Sequence, residues 1–199
     1  MKKFELTNEF ITNMFGTKLF RIRALVEFGD VEAGELGGYV EKESNLGHDD
    51  NAWVYGNARV YGDALVYDNA RVYGNARVCG DAQVSGDALV YGNAWVYGDA
   101  QVSGDARVCG DARVCGNGDY AYAHGFGSVN RTTTFFRLKD GGVGVRCGCF
   151  YGTLAQFRDK IRETHGETKK AQEYLMLADL MELRFEEDEN EVGNRKYVE

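Results

Sequence analysis

The chain has 199 residues, with 23 lysines and arginines against 31 aspartates and glutamates, for a formal net charge of −8. This balance argues against nucleic-acid binding by direct phosphate contact, which depends on basic side chains, and no apolar run approaches the roughly 20 residues that span a membrane. Five cysteines, an odd number without a signal peptide before them, predict reduced thiols and a cytoplasmic location.

Residues 1–50 are predicted to form an N-terminal strand followed by an entry segment. Residues 18–26 alternate apolar and polar side chains with a period of two, which is typical of a strand with one buried face. The entry segment then reads Leu36-Gly37-Gly38-Tyr39-Val40-Glu41 and, a little further on, Asn45-Leu46.

Residues 51–117 are a six-residue repeat. Valine recurs eleven times without a slip, alanine lies two positions before each valine, and Asn or Asp precedes each alanine. Gly precedes that Asn or Asp in nearly every repeat, with Asp68 as the exception inside the array. Ala-x-Val is the alternation of a short strand, and Gly with Asn or Asp supplies a tight turn because these residues tolerate positive φ. A strand this short cannot bury its face alone, so stacked coils are predicted.

The repeat resembles the hexapeptide-repeat family, in which a small residue follows an aliphatic one four positions later, as Ala58 follows Val54. The resemblance implies a mainly β fold, a left-handed parallel β-helix with three repeats per triangular coil, so that equivalent positions stack at every third repeat. Leu36-Gly37-Gly38-Tyr39-Val40-Glu41 with Asn45-Leu46 resembles the entry segment of phage and prophage members of this family. The resemblance implies that this segment forms an irregular first coil that caps the core.

Grouping every third repeat sorts the outward positions into three faces. The first face carries Trp53, Arg71, Leu89 and Arg107 beside Tyr55, Tyr73, Tyr91 and Cys109. The second face carries Arg59, Arg77, Trp95 and Arg113 beside Tyr61, Cys79, Tyr97 and Cys115. The third face carries Leu65, Gln83 and Gln101 beside Tyr67, Ser85 and Ser103.

Two of these faces are rich in the residue types that are enriched at protein interfaces. We therefore predict that a protein partner or a symmetry mate contacts Trp53, Tyr55, Arg71, Tyr73, Tyr91, Trp95, Tyr97 and Arg107. The alternative is that stacked tyrosines only stabilise the solenoid surface. Rows of Asp at the turns do not predict a metal, because the calcium-binding Gly-Gly-x-Gly-x-Asp motif is missing and Asp is an ordinary turn former.

After the array, residues 118–131 are predicted to form a crossover rich in Gly and aromatic residues. Residues 132–137 and 143–150 are predicted as two strands joined by a hairpin turn. Thr153 is expected to cap a helix that ends at His165 before Gly166, and residues 167–185 a second helix. This gives a small ββαα unit over residues 132–185, with a charged tail at 186–199.

Cys147 and Cys149 are separated by a single glycine, and a continuous strand would place both on one face. They could form half of a redox or zinc site, or a buried pair of free thiols. Zinc needs further ligands, which the sequence does not offer at a suitable spacing. No metal is therefore predicted.

The best-known activity on the hexapeptide fold is acyl transfer, with a histidine as general base and acyl-CoA between subunits. The repeats contain no histidine, and no loop interrupts them. His124, in the predicted crossover, is the one candidate base, since His48 and His165 lie in the entry segment and at a helix end. A histidine beside Gly and Tyr is more often structural, and no cofactor is predicted.

The leading prediction is a non-enzymatic binding protein of phage type, an inhibitor of a host factor such as a defence system, in the cytoplasm of an infected or lysogenic bacterium. It is expected to form a homo-oligomer, a dimer or trimer. The first alternative is a hexapeptide-repeat acyltransferase that uses acyl-CoA, which would raise its melting temperature. The second is a self-assembling structural solenoid, which sedimentation would reveal.

Overall fold

The structure is a computed structural model that describes residues 2–127 and 131–186. The chain is mainly β, as predicted: a parallel β-solenoid lies between an N-terminal β-hairpin and a C-terminal antiparallel sheet covered by helices. Among the described residues, no helix is long and apolar enough to cross a membrane.

The solenoid strands are two residues long and recur once in each hexapeptide. Strands β4 to β14 are, in order, Trp53–Val54, Arg59–Val60, Leu65–Val66, Arg71–Val72, Arg77–Val78, Gln83–Val84, Leu89–Val90, Trp95–Val96, Gln101–Val102, Arg107–Val108 and Arg113–Val114. In each strand the second residue is a fully buried valine, and the alanine before the strand is buried too. The first residue of each strand provides the side chain of a face.

The coils stack in the predicted register of three repeats per coil. Trp53 pairs with Arg71, and Val54 with Val72, in a parallel ladder. The strands form three sheets, ordered β4-β7-β10-β13 for the first face, β5-β8-β11-β14 for the second and β6-β9-β12 for the third. Backbone N–H groups of one coil donate to carbonyls of the next, so that short strands satisfy their polar groups by stacking.

Tight turns between strands depend on positive φ. Gly80 has φ of +70°, and a Cβ there would lie 3.1 Å from the backbone of Gly98 in the next coil. Asp68, which replaces glycine in its repeat, also has positive φ, at +56°. Its carboxylate accepts a hydrogen bond from Gly86 N–H at 3.0 Å, so the Asp68 side chain adds a contact to the next coil.

The N-terminal residues extend the second-face sheet. Strands β1 (Phe4–Thr12) and β2 (Lys18–Ala24) form an antiparallel hairpin, and β2 pairs with β3 (Leu36–Val40). Strand β3 then pairs in parallel with β5 of the first regular coil. A sheet ordered β1-β2-β3-β5-β8-β11-β14 results. The entry segment thus lies directly on the first coil, while strand β1 is an element that the sequence analysis did not predict.

The C-terminal unit has more strands than predicted. Its sheet is ordered β15 (Tyr120–Phe126), β16 (Arg131–Arg137), β17 (Val143–Cys147) and β18 (Phe150–Thr153), all antiparallel. The predicted crossover is therefore wrong where it forms β15, and the single strand predicted at 143–150 is a hairpin. Helices α1 (Leu154–His165) and α2 (Lys169–Phe185) follow. Apart from Glu186, the predicted charged tail lies outside the described residues.

Strand β16 joins two hydrophobic cores. Phe136 packs with the solenoid core, whereas its neighbour Phe135 points to the other side of the sheet and packs with the helices. Lys139 N–H donates to the Asp111 carbonyl at 3.1 Å, and Arg107 N–H donates to Thr134 Oγ1 at 2.9 Å. The C-terminal sheet therefore covers the last coil and closes the open end of the solenoid.

Candidate functional site: the second face and the hairpin tip

Trp53 does not belong to an accessible surface, contrary to the prediction. Its side chain is fully buried. The ring of Phe28 lies 5.3 Å away and that of Phe4 6.2 Å away, both edge-on. The strand does direct Trp53 outward, but N-terminal residues fold over it and make it part of the core.

The remaining first-face residues are largely engaged within the chain. Tyr55 Oη donates to Asp30 at 3.0 Å, and Arg71 forms an ion pair with the same carboxylate at 3.0 Å. Burial, followed by the hydrogen bond to Asp30, raises the pKa of Tyr55 to about 12. Tyr73 and Tyr91 stack with ring centroids 4.8 Å apart and planes at 3°. These contacts favour the alternative of stabilising tyrosines on this face, since Tyr73 and Tyr91 stack on each other and Tyr55 is bonded to Asp30 of the N-terminal segment.

On the second face, Trp95 lies between two arginines. The Cζ atoms of Arg77 and Arg113 are 4.5 and 4.6 Å from its ring centroid. The stack follows from the register, because Trp95 pairs with Arg77 on one side and Arg113 on the other. Arg113 also donates to the carbonyls of Asn93 and Ala112, at 3.1 and 2.8 Å. Each cation–π contact contributes about 0.5–1 kcal/mol at an exposed site, so the stack is held in place before any ligand arrives.

Beside this stack runs a basic groove, which we call the second-face groove. It has a volume of about 490 Å³ and is lined by Asn57, Arg59, Asn75, Arg77, Asn93, Trp95, Asp111, Arg113 and Lys139. Four cationic side chains therefore share the groove with one carboxylate. Within the described part of the chain, neither Arg59 nor Arg77 forms an ion pair. In a protein of net charge −8 this groove is a local basic patch.

An apolar cleft, here called the tip cleft, adjoins the groove. It has a volume of about 340 Å³ and lies between the hairpin tip, residues 12–15, and second-face side chains that include Tyr61, Trp95 and Tyr97. At the tip, Met14 is 73% exposed and Phe15 is 66% exposed. Large apolar side chains grouped at the rim of a cleft mark interaction sites.

The hairpin tip has a defined turn. Asn13 Oδ1 accepts hydrogen bonds from Phe15 N–H at 3.0 Å and Thr17 N–H at 2.9 Å. Gly16 supplies the positive φ, +83°, that the turn requires. Met14 and Phe15 are thus presented by an ordered backbone.

Cys79 lines the same cleft without being a reactive thiol. Burial is the main cause that raises its pKa, which keeps the thiol protonated and a weak nucleophile. Burial likewise raises the pKa of Tyr61, with which Cys79 shares a hydrogen bond. Cys79 and Tyr61 therefore stay uncharged, while Arg59 and Arg77 give the rim of the cleft its positive charge, so the cleft suits binding rather than nucleophilic chemistry.

His124 lies away from these clefts, on β15. Its Nδ1 is 2.9 Å from Thr132 Oγ1 and 3.7 Å from a carboxylate oxygen of Asp105. The His124 side chain is 59% exposed, and it lines neither the second-face groove nor the tip cleft. A carboxylate beside an imidazole can orient a general base. However, neither of the two clefts described reaches His124 to hold an acceptor substrate beside it.

Cys147 and Cys149 do not share a strand face, which corrects the prediction. Strand β17 ends at Cys147, and Gly148 with Cys149 forms the turn to β18. Cys147 Sγ accepts from Thr133 Oγ1 at 3.1 Å, whereas Cys149 is exposed. Among the residues described, no group of three or more His, Cys, Asp or Glu side chains could hold a metal ion.

Some residues of this site were missed by the sequence analysis. Arg77 and Arg113 stood in the second-face column, but only Trp95 and Tyr97 of that face were predicted to contact a partner. The three-repeat period already places Arg77, Trp95 and Arg113 one above another, so the arginine–tryptophan stack could have been predicted from it. Met14 and Phe15 carried no such signal, because their position over the second face depends on the unpredicted hairpin.

Fold and surface together define the class, a β-solenoid repeat protein with both ends covered. A family model described as YdcK Beta solenoid repeat matches residues 52–68, 64–80, 82–98 and 100–116. Over its solenoid, the chain is thus similar to that repeat family. The comparison with curated proteins finds no match for the chain.

Proposed function

We propose that this is a non-enzymatic binding protein whose second-face groove and tip cleft receive an acidic segment of another protein. The single observation that carries the proposal is the arginine–tryptophan stack of Arg77, Trp95 and Arg113, which lies open beside an apolar cleft. The stack offers charge and hydrogen-bond donors together with an aromatic ring that also lines the apolar cleft. Arg and Trp are the residue types that most often carry binding energy at interfaces.

The charge pattern favours a carboxylate-rich partner. Arg59 and Arg77, which form no ion pair within the described part of the chain, keep their charge for a ligand, and guanidinium groups bind carboxylates in a bidentate geometry. Because the arginines are already held by stacking, less side-chain entropy is lost on binding. Met14 and Phe15, across the tip cleft, supply apolar contacts for a large side chain that neighbours the acidic residues.

A finer proposal concerns the identity of the partner. The resemblance of residues 36–46 to phage and prophage entry segments supports a host protein, such as a component of a defence system, as the target. On this proposal the protein acts in the cytoplasm of an infected or lysogenic bacterium. The acyltransferase alternative depends on His124 and Asp105, and detection of acyl-CoA turnover that requires His124 would replace the binding proposal.

Selection from a displayed random peptide library tests the proposal and requires no identified partner. We expect the wild-type chain to enrich peptides that combine several Asp or Glu with one large apolar residue. The Arg77→Glu/Arg113→Glu variant should bind the enriched peptides at least about tenfold more weakly, since two attractive contacts become repulsive. Quenching of Trp95 fluorescence would report binding directly.

Arg107→Glu is the matched control, because Arg107 is an exposed arginine at the equivalent repeat position on the first face. It should leave peptide affinity unchanged. A second variant, Met14→Ser/Phe15→Ser, should weaken binding while leaving its salt dependence intact, since it removes only apolar contacts. Enriched peptides that are not acidic, or that bind the double arginine variant as tightly as wild type, would reject the second face as the binding site.

A further inference from the structure

Helix α2 carries an apolar stripe on the side that faces away from the protein. Met176, Leu180 and Leu183 are 71%, 54% and 67% exposed. The opposite side of the helix is buried against the C-terminal core through Ala171, Tyr174, Ala178, Met181 and Phe185. A helix with apolar side chains on both sides has a second surface to bury.

The stripe has the spacing of a helix-pairing seam. Its members are separated by four and then three residues, which is the alternation of positions a and d in a heptad. With Leu180 at a, Met176 and Leu183 occupy d. Scattered exposed leucines need no explanation, but three apolar residues at this spacing on one helix form a continuous strip.

We propose that a second copy of this chain covers the stripe by packing its own α2 in parallel against it. The occupant and the orientation follow from the charges beside the stripe. In the same heptad frame Asp179 takes position g and Arg184 takes position e. In a parallel pair, position g of one helix lies across from position e five residues later on the other, which is the spacing from Asp179 to Arg184.

Asp179 of each copy would therefore face Arg184 of the other copy, twice by symmetry. An antiparallel pair would place g against g and e against e, so that Asp179 met Asp179 and Arg184 met Arg184. Like charges across the seam disfavour that arrangement. Charge complementarity thus selects a second α2 in parallel orientation.

The contacts that these two residues already make do not prevent the pairing. Asp179 accepts from Arg158 at 2.8 Å and is itself 71% exposed in its side chain. Arg158 keeps a second carboxylate, Glu182, at 2.7 Å if Asp179 turns to a new partner. Arg184 uses one nitrogen to donate to the Asn117 carbonyl at 3.2 Å, which leaves its other donors available.

The size of the seam sets the strength of the dimer. Glu173 precedes the stripe at an a position, so the apolar contact is limited to three layers. Such a seam falls below the ~800 Å² per partner of a standard protein interface. We therefore expect a dimer that forms reversibly and depends on protein concentration. It would bring two second-face grooves into one particle, although the inference does not depend on what these grooves bind.

Sedimentation velocity of the full-length chain over a concentration series tests the proposal. Wild type should shift from monomer to dimer as concentration rises, and Leu180→Glu should remain monomeric throughout. Leu25→Glu, at an exposed leucine outside the C-terminal unit, is the matched control and should dimerise like wild type. Circular dichroism would verify that each variant is folded.

A charge exchange tests the orientation. Asp179→Arg and Arg184→Asp should each raise the dimer dissociation constant about tenfold, because both inter-helix pairs become repulsive. The double variant should return it to near the wild-type value, since the pairs are restored with reversed sign. A monomeric wild type at high concentration, a dimer that survives Leu180→Glu, or a double variant weaker than either single one would overturn the proposal.

Discussion

At the scale of single residues, the two tryptophans show how far identical local sequences can diverge. Residues 51–56 and 93–98 both read Asn-Ala-Trp-Val-Tyr-Gly. Trp53 is fully buried beneath Phe4 and Phe28, whereas Trp95 is half-buried between Arg77 and Arg113. The hexapeptide determines that each side chain leaves the backbone outward. What covers it is decided by residues far away in the chain.

This difference predicts unequal costs for the same substitution. Trp53→Ala should lower the free energy of unfolding by about 3–5 kcal/mol, because it opens a cavity in a packed core. Trp95→Ala should lower it by less than about 2 kcal/mol, since mainly two exposed cation–π contacts and partial burial are lost. Urea denaturation of the two variants measures both values, and equal losses would contradict the assignment of Trp53 to the core.

At the scale of elements, the turns of the solenoid differ in how closely the next coil approaches them. Gly56 and Gly80 both have positive φ, but a Cβ at Gly56 would meet nothing within 4 Å, whereas one at Gly80 would lie 3.1 Å from Gly98 backbone atoms. Turns in the middle of the array therefore carry two constraints, a backbone conformation and a close approach. The turn at Gly56 carries only the first.

The pair Gly56→Ala and Gly80→Ala separates these two constraints. Gly56→Ala should cost about 1 kcal/mol, the penalty for positive φ in a residue with a Cβ. Gly80→Ala should cost clearly more, because neighbouring coils must also move apart. Thermal or urea unfolding of the two variants measures the difference, with wild type as reference. A Gly56 variant as unstable as the Gly80 variant would show that coil contact adds nothing.

Elements with local signals could be predicted from the sequence, and elements made by distant pairing could not. Thr153 accepts from Gln156 N–H, while Gln156 Oε1 accepts from Thr153 N–H at 2.9 Å, a capping box between residues three apart. Gly166 likewise ends α1. By contrast, β1 and β15 are defined by their pairing with β2 and β16, and although residues 4–7 alternate like a strand, that pattern alone does not show which strand it pairs with. The tip cleft was missed for the same reason.

At the scale of the whole molecule, the chain contains two hydrophobic cores that meet at β16. One core runs through the solenoid from Phe4 to Phe136, and the other holds the helices against the outer side of the C-terminal sheet through Phe135 and Phe157. Within the described residues the two cores have no member in common, and the parts around them touch through β15, β16 and hydrogen bonds such as that from Arg184 to the Asn117 carbonyl. The two parts should therefore differ in local stability.

Phe157→Ala should loosen the C-terminal unit before the solenoid. Phe157 packs edge-on against Phe135 and Tyr174, with centroids 6.0 and 5.8 Å away, so its loss should cost that unit about 3–5 kcal/mol. Hydrogen-exchange mass spectrometry should show faster exchange in α1 and α2 with protection retained over β5 to β11. A uniform loss of protection along the chain would indicate that the molecule unfolds as one cooperative unit.

Because the three faces carry different side chains, only some in-frame duplications can lengthen the solenoid without disturbing them. A position returns to the same face only after three repeats, as in the pairing of Trp53 with Arg71. An in-frame duplication of three whole repeats would lengthen the array by one coil and keep every column aligned. Duplication of a single hexapeptide would rotate all later residues by one face, and within the second-face column it would separate Trp95 from an arginine. Heritable changes in length that preserve the second face must therefore come in whole coils.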